Sequence, residues 1–280
     1  MSRSFALDDA LQAYVVAHST PLDPVQAELV ETTARLGDVA GMQTGPDQVV
    51  LLTLLTRAIG AQSAIEVGTF TGASALAIAK GLPADGRLVC CDVSEEWTSI
   101  ARDAWAAAGV ADRIDLRIGP AQATLDALPD DRSVDLAYID ANKEGYIDYF
   151  EAIVPRLRPD GLLLADNTLW SGRVADASAD DANTVAIRAF NDHVVADPRR
   201  WPCALSTSRS STTTVASWTT RSTACRRRGP SSSPSATSSR LPRATRTSGW
   251  CCTRWVVTPR PGGGSRRPGP RSRPRVAPTT

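Results

Sequence analysis

The chain has 280 residues, which is enough for one large α/β domain or two small ones. Its net charge of +1 conceals an uneven distribution, because residues 1–200 hold all 30 acidic side chains whereas residues 201–280 hold 15 arginines and no acid. A body this acidic gives no reason to expect nucleic-acid binding. Since neither a signal-peptide-like segment nor a run of 18 apolar residues occurs, we expect a cytoplasmic protein that stays out of membranes.

Helical spacing of apolar residues dominates residues 1–60. One helix is predicted near the N-terminus, a second begins at Pro24, and a third covers residues 47–59. The break before the third helix contains Met42 and Thr44, which either face a ligand or form an ordinary turn between helices. Three helices ahead of the first strand predict an added layer that serves as a lid or as a docking surface.

A glycine-bearing turn follows the first predicted strand. Segment 64–72 reads Ala-Ile-Glu-Val-Gly-Thr-Phe-Thr-Gly, and a helix continues from it to residue 80. Gly68 and Gly72 permit a tight turn and close approach of a ligand to the backbone. A second strand ends at Asp92, an acid placed to accept hydrogen bonds from a ribose. The pattern predicts a nucleoside cofactor, although such glycines also occur in βαβ turns that bind nothing.

The spacing of this turn differs from that of dinucleotide-binding turns. It is Glu-x-Gly-x-x-x-Gly, and Glu66 stands at the end of the strand, where it suits a cation such as S-adenosylmethionine better than a pyrophosphate. An NAD-dependent oxidoreductase is therefore disfavoured. The two histidines of the chain, His18 and His193, support this exclusion, because both are interpreted as helix-face residues rather than catalysts.

From residue 63 onward, predicted strands alternate with predicted helices. The further strands are 113–118, 134–140 and 161–167, and the further helices are 94–109, 119–125, 145–157 and 181–196. This alternation predicts an α/β fold with a mostly parallel sheet and helices on both faces. Cys90 and Cys91 fall in the second strand, where we expect small buried apolar residues rather than metal ligands.

Polar side chains end two of the predicted strands. Asp140 ends one strand, and Asp166 with Asn167 ends another. Because the carboxyl ends of parallel strands lie along one edge of the sheet, these three side chains are expected to converge. Their hard oxygen atoms suit half of an octahedral Mg²⁺ shell. The alternative is that both acids merely cap loops or the helices that follow.

Four separated motifs together resemble a known family. They are Glu66-Val-Gly-Thr-Phe-Thr-Gly72, Cys91-Asp92-Val-Ser-Glu-Glu-Trp97, Asp140-Ala-Asn-Lys143-Glu-Gly-Tyr146 and Asp166-Asn-Thr-Leu-Trp-Ser-Gly-Arg173. In this order they resemble the caffeoyl-CoA O-methyltransferase-like family, the cation-dependent class I O-methyltransferases that include bacterial small-molecule members. The resemblance runs from about residue 20 to 197 and implies a Rossmann-like class I methyltransferase fold.

The resemblance also implies a ligand set. The implied cofactors are S-adenosylmethionine and Mg²⁺ or another divalent cation. The implied cofactor-binding residues are Met42, Thr44, Glu66, Gly68, Thr69, Ser74, Asp92, Ala121, Asp140 and Asn142. The implied metal ligands are Asp140, Asp166 and Asn167, the implied catalytic residues are Lys143 and Asp140, and Trp170 and Tyr149 are implied at the acceptor pocket.

The implied function is O-methylation of a catechol-like small molecule. A metal that holds both hydroxyls of the acceptor lowers the pKa of the one to be methylated. Lys143 then accepts the proton or steadies the phenolate. Family members are commonly dimers, so the resemblance implies a homodimer.

Two features depart from the family pattern. The family loop usually reads Asp-Ala-Asp-Lys, whereas residue 142 is Asn here, which predicts weaker cofactor binding or a changed pH dependence. In addition, residues 201–280 contain two Leu and no Ile, Phe, Lys or acid, so we expect them to be disordered. The final strand of the family is then missing or replaced.

The chain is accordingly divided into three parts. Residues 1–60 form the helical layer of the methyltransferase domain, residues 61–200 form its cofactor-binding core, and residues 201–280 form the tail. This tail is interpreted either as a frame-shifted translation of a GC-rich gene or as an Arg-rich arm for a polyanion. The alternative function is an inactive remnant that binds only the cofactor because its last strand is lost.

Overall fold

One mixed sheet organises the residues that the computed structural model describes, which are 8–199 and 254–257. Its strands are β1 (Ser63–Val67), β2 (Arg87–Asp92), β3 (Ile114–Ile118), β4 (Val134–Ile139), β5 (Leu157–Ala165) and β6 (Arg254–Val257). Their order across the sheet is β3-β2-β1-β4-β5-β6. The first five strands run parallel, and β6 pairs antiparallel with β5. The predicted α/β fold with a mostly parallel sheet is confirmed.

Helices connect these strands, and three of them precede the sheet. They are α1 (Asp9–Ala17), α2 (Pro24–Ala34), α3 (Pro46–Ala58), α4 (Ala73–Gly81), α5 (Glu95–Ala107), α6 (Ala121–Ala127), α7 (Tyr146–Ile153) and α8 (Ala182–Ala196). The predicted helix 145–157 is too long, since α7 gives way to a 3₁₀ turn that contains Pro155. A proline lacks the N–H that would continue the α-helical ladder. In the part of the chain that the structure describes, no helix has both the length and the apolar content needed to cross a membrane.

Two apolar layers enclose the sheet. One lies between the sheet and α2–α5, where Leu76, Leu88 and Trp105 are buried. The other lies between the sheet and α6–α8, where Phe150 and Phe190 are buried. The central strands β1 and β4 are buried along almost their whole length, which is typical of parallel strands covered on both faces, whereas β3 at the edge has no buried residue.

The helices α2 and α3 pack on α4 and α5, which cover one face of the sheet. In α3, the Thr53 hydroxyl donates to the carbonyl oxygen of Ala77 at 2.9 Å. In α2, the Thr33 hydroxyl lies 2.8 Å from that of Thr71, which belongs to the glycine turn. Helix α1 contributes no buried residue, and its Tyr14 remains 60 % exposed. The added helical layer therefore reaches the glycine turn through α2.

The C-terminal edge of the sheet corrects one prediction. Residues 254–257 read Arg-Trp-Val-Val and pair with β5, with Leu164 opposite Trp255. These four residues therefore form a strand at the edge of the sheet where the sequence predicted disorder. Trp and β-branched Val favour strands, and the edge of β5 offers backbone groups for pairing. The predictions for residues 200–253 and 258–280 lie outside the described residues.

Candidate active site

The glycine turn after β1 lies directly against the end of β4. Gly68 has φ +91°, in the region that favours glycine, and its N–H donates to the carbonyl oxygen of Cys91 at 2.9 Å. A Cβ built on Gly68 would lie 1.9 Å from the backbone oxygen of Asp140. Gly72 has φ +86°, and a Cβ there would lie 2.5 Å from that of Ala101. Both glycines are therefore required by close packing as well as by conformation.

Asp92 holds the glycine turn through its carboxylate. Its Oδ2 accepts hydrogen bonds from the backbone N–H groups of Thr69 and Phe70 at 2.9 and 2.8 Å. Its Oδ1 accepts one from the N–H of Ser94, which caps α5. Sequence reasoning assigned Asp92 only to a ribose and missed this structural role. The contact with a ribose stays a prediction.

Glu66 is a fully buried acid beside this turn. Its Oε2 accepts a hydrogen bond from the Thr69 hydroxyl at 3.0 Å, whereas Oε1 finds no hydrogen-bond partner among the described residues. Burial raises the pKa of Glu66 to about 7, although the hydroxyls of Ser74 and Thr69 oppose that rise. A buried carboxylate oxygen without a donor is costly, so this position suits a cationic or hydrogen-bond-donating ligand.

The ends of β4 and β5 bring two acids together. Ile139 and Ala165 are paired in register, and Asp140 and Asp166 directly follow them. Asp166 is fully buried. Burial and then the negative charge of Asp166 raise the pKa of Asp140 to about 6, while Lys143 acts in the opposite direction. Two carboxylates that repel each other in this way fit a site for a divalent cation, and the role of Asn167, which directly follows Asp166, stays a prediction.

Lys143 is anchored at the rim of this acidic pair. Only 8 % of the residue is exposed, and its Nζ lies 3.1 Å from Asp140 Oδ1 and 2.6 Å from the Tyr146 hydroxyl. The same Nζ lies 4.7 Å from the centre of the Tyr146 ring and 5.7 Å from that of Trp170. The ammonium group therefore lies among three side chains, namely the carboxylate of Asp140, the phenol of Tyr146 and the ring of Trp170.

The loop after β5 has a strained backbone. Asn167, Trp170 and Ser171 all have positive φ, at 56°, 44° and 51°. Non-glycine residues in this region cost free energy and persist where the surrounding structure holds them. Strain in three residues that include an implied metal ligand and an implied acceptor-pocket residue is typical of a functional loop.

Three side chains at the site had been given no role from the sequence. Tyr138 and Gln48 approach Asp166, with donor–acceptor distances of 2.7 and 3.5 Å to its Oδ2, and Tyr146 contacts Lys143. The available signals were weak. Tyr138 precedes Asp140 by two positions on a strand and so shares its face of the sheet, and Tyr146 follows Lys143 by three positions at the start of a helix, a spacing compatible with contact.

The remaining predicted residues lie around this centre with different exposure. Thr44 and Ser74 are buried, and Ala121 is buried at the start of α6, whereas Met42 is 48 % exposed. The exposed Asn142 accepts a hydrogen bond from the Tyr149 hydroxyl at 2.7 Å. Their contacts with a cofactor or an acceptor stay predictions.

A second group of possible metal ligands, two acids and a histidine, lies where α7 and α8 meet. Ligand atoms of Glu151, His193 and Asp197 all lie within 4.8 Å of one another. The Arg199 guanidinium already bonds both Glu151 oxygens, at 2.8 and 2.9 Å, and Asp197 at 2.6 Å. Since an arginine supplies the positive charge here, we interpret this group as an ion-pair network.

Sequence comparison identifies a family model and relatives named as O-methyltransferases. Residues 16–212 match the family model described as O-methyltransferase. Probable caffeoyl-CoA O-methyltransferase 2 of Dictyostelium discoideum is 39% identical over 196 residues, which are 69% of this chain and 85% of that protein. Caffeoyl-CoA O-methyltransferase of Eucalyptus gunnii is 36% identical over 215 residues, covering 72% of this chain and 86% of the other.

Comparison with solved structures also identifies O-methyltransferases. The O-methyltransferase from Bacillus cereus in complex with SAH (S-adenosylhomocysteine) has a TM-score of 0.63 at 31% identity, covering 68% of this chain and 87% of its own. An O-methyltransferase from Streptomyces achromogenes, involved in tomaymycin synthesis and solved in complex with SAM (S-adenosylmethionine), has a TM-score of 0.63 at 28% identity, covering 68% and 86%.

Proposed function

Since this chain belongs to the O-methyltransferase family, in its caffeoyl-CoA O-methyltransferase-like branch, we propose that it methylates a hydroxyl of a catechol-like small molecule, with S-adenosylmethionine as donor and a divalent cation at the acceptor. The observation that carries the proposal is the meeting of Asp140 and Asp166 at paired strand ends, directly against the Gly68 turn. Methyl transfer to a hydroxyl held by a metal requires the cofactor and the metal to lie side by side. The Gly68 turn and the acidic pair meet this requirement because they are in contact.

The turn proposed to bind the cofactor has a negative charge beside it, the carboxylate of Glu66, which suits the positively charged end of S-adenosylmethionine. Glu66 offers a buried carboxylate oxygen without a partner among the described residues, which suits the positive end of S-adenosylmethionine. The turn beside it is held by Asp92, so its backbone is preorganised before the ligand arrives. The B. cereus and S. achromogenes enzymes, solved with SAH and SAM, support this assignment.

The acidic pair fits Mg²⁺ by the chemistry of its donors. Asp140, Asp166 and Asn167 would hold the ion through oxygen atoms and leave positions for acceptor oxygens. When bound, the cofactor supplies the methyl group and the cation lowers the pKa of the hydroxyl that it holds. The protein then places the acceptor beside the cofactor, because the Gly68 turn is packed against the end of β4.

Lys143 is the residue that handles the acceptor's proton. Its Nζ is held by Asp140 and by the Tyr146 hydroxyl, so its position is fixed before an acceptor enters. From there the neutral amine would take the hydroxyl proton, directly or through water, whereas the ammonium form would stabilise the negative oxygen that remains. Trp170, 5.7 Å from Nζ, offers a flat apolar surface for an aromatic acceptor ring.

Two matched substitutions locate the metal. Methyl transfer from labelled S-adenosylmethionine to a simple catechol is measured in Asp166→Asn and in Glu151→Gln, each across a range of Mg²⁺ concentrations. We expect Asp166→Asn to require far more Mg²⁺ or to lose activity, and Glu151→Gln to retain the wild-type Mg²⁺ dependence. The reverse pattern would assign the metal to the network at Glu151, His193 and Asp197 and refute the proposed site.

The inactive-remnant alternative loses its basis. It depended on loss of the last strand, yet β6 pairs with β5 over four residue pairs. The edge of β5 is therefore paired along Leu162–Ala165.

We extend the proposal to a homodimer. Helix α1 buries none of its residues and exposes Tyr14, Val15 and Val16, an apolar surface that a second copy would cover. Sedimentation velocity of the wild-type chain and of Val16→Asp tests this: we expect a dimer that the substitution weakens, and a monomeric wild type would contradict it. A cytoplasmic location and the lack of nucleic-acid binding stay predictions.

A further inference from the structure

Tyr138 lies on the same face of the sheet as Asp166. In the register of β4 and β5, Tyr138 is opposite Leu164, and Asp166 stands two residues beyond Leu164. Side chains alternate between the faces of a sheet, so Tyr138 and Asp166 share a face as diagonal neighbours. The Tyr138 hydroxyl donates to Asp166 Oδ2 at 2.7 Å. Because both residues are almost completely buried, at 1 % and 0 % exposure, water does not compete for this bond.

Asp166 is held from two sides. Oδ2 receives the Tyr138 hydroxyl and, at 3.5 Å, the Gln48 side-chain amide. Oδ1 receives the backbone N–H of Asn167 at 2.6 Å. Hence Oδ2 lies on the side of β4 and α3, and Oδ1 lies towards the strained loop that carries Asn167. The carboxylate therefore has one orientation, and rotating it breaks buried hydrogen bonds.

We propose that the Tyr138 hydroxyl restricts Asp166 to ligation through one oxygen and thereby makes the site favour Mg²⁺ over Ca²⁺. This inference rests on the metal site proposed above. Mg²⁺ requires near-ideal octahedral geometry at about 2.0–2.1 Å and takes single carboxylate oxygens, whereas the larger Ca²⁺ also accepts both oxygens of one carboxylate at about 2.3–2.6 Å. A carboxylate whose Oδ2 is bonded to a buried phenol can bind Mg²⁺ through its other oxygen. It cannot offer both oxygens to Ca²⁺. Tyr138 is thus a positioning residue that selects the ion.

Metal binding without turnover tests the inference. The affinities of the full chain for Mg²⁺ and for Ca²⁺ are measured by calorimetric titration in wild type and in Tyr138→Phe, with no acceptor present. Removing a hydrogen bond behind a metal ligand typically costs about 10- to 100-fold in affinity. We expect Mg²⁺ binding to weaken by that factor and Ca²⁺ binding to weaken less, so that the preference for Mg²⁺ falls by about tenfold.

A second buried hydroxyl provides the control. Thr56 is fully buried in α3, and its hydroxyl donates to the carbonyl oxygen of Leu52 at 2.7 Å, away from the acids. Thr56→Val should lower the melting temperature to a similar extent while leaving both metal affinities unchanged. Unchanged Mg²⁺ affinity in Tyr138→Phe, or equal losses for the two ions, would overturn the role of Tyr138. A wild-type chain that binds neither ion would instead overturn the metal site itself.

Discussion

Replacing Gly68 by Ala should force the cofactor turn away from the end of β4. The new Cβ would lie 1.9 Å from the backbone oxygen of Asp140 and 2.6 Å from its carbonyl carbon. Ordinary carbon contacts are about 3.5–4.0 Å, so the two backbone segments must separate by roughly 1.5 Å. The turn is also tied to Asp92, and the end of β4 is tied to β5, which leaves little freedom for this movement.

The expected loss of stability has two contributions. Alanine at the φ of +91° costs about 1–2 kcal/mol relative to glycine, and forcing apart a packed contact costs about 1–3 kcal/mol more. Gly68→Ala should therefore lower the free energy of unfolding by about 2–5 kcal/mol. Gly60 provides the matched control, since its φ is +62° but nothing lies within 4 Å of its Cβ position. Gly60→Ala should lose only the backbone contribution of about 1–2 kcal/mol.

Urea unfolding and calorimetric binding of S-adenosylmethionine measure the two effects separately. We expect Gly68→Ala to unfold at lower urea than Gly60→Ala and to bind the cofactor at least tenfold more weakly than wild type. Gly60→Ala should bind it as wild type does. Equal losses of stability in the two variants, together with unchanged cofactor affinity in Gly68→Ala, would refute the view that this contact aligns the turn with the acidic pair.

Three further substitutions probe the site. Burial raises the pKa of Glu66 from 4.5 to about 7, so the folded state holds the proton more tightly and loses stability as pH rises through this window. In urea unfolding without cofactor, Glu66→Gln should be more stable than wild type by up to about 3 kcal/mol at pH 8 and equal to it near pH 4.5. Asn142→Asp restores the charge usual in the family and keeps an acceptor for the Tyr149 hydroxyl, so calorimetry should show tighter cofactor binding. Tyr146→Phe removes the hydroxyl 2.6 Å from Lys143, and steady-state kinetics should show kcat reduced by about tenfold with an unchanged KM for S-adenosylmethionine.

Each of these three has an outcome that contradicts it. A stability difference between Glu66→Gln and wild type that does not change with pH would show that the carboxyl does not titrate in this window. No gain in affinity in Asn142→Asp would separate that position from the cofactor. A higher KM with normal kcat in Tyr146→Phe would mean that the hydroxyl supports cofactor binding rather than the position of Lys143.

The fold was predictable because its signals are local. The strand and helix periods, the Gly68 turn and the acids at the ends of β4 and β5 all stand in short segments of the sequence. Parallel strands place their carboxyl ends on one edge, so the meeting of Asp140 and Asp166 follows from topology.

The contacts that set the chemistry were not predictable in the same way. The bond from Tyr138 to Asp166 spans 28 residues and depends on the register of two strands, which composition does not fix. The sequence placed Asp92 at the end of β2. That its carboxylate accepts hydrogen bonds from the backbone of the glycine turn could be seen only in the folded conformation of that turn. The strand at Arg254–Val257 stands in a sequence segment without periodicity, so its pairing with β5 had no local signal in the sequence.

The central claim is that a divalent cation at the Asp140–Asp166 pair holds the acceptor for methylation. The most direct test measures methyl transfer from labelled S-adenosylmethionine to a simple catechol by this chain, with added Mg²⁺ and with excess chelator. We predict transfer with Mg²⁺, loss of transfer with chelator and recovery when Mg²⁺ is restored. Transfer that continues undiminished in chelator would contradict the claim.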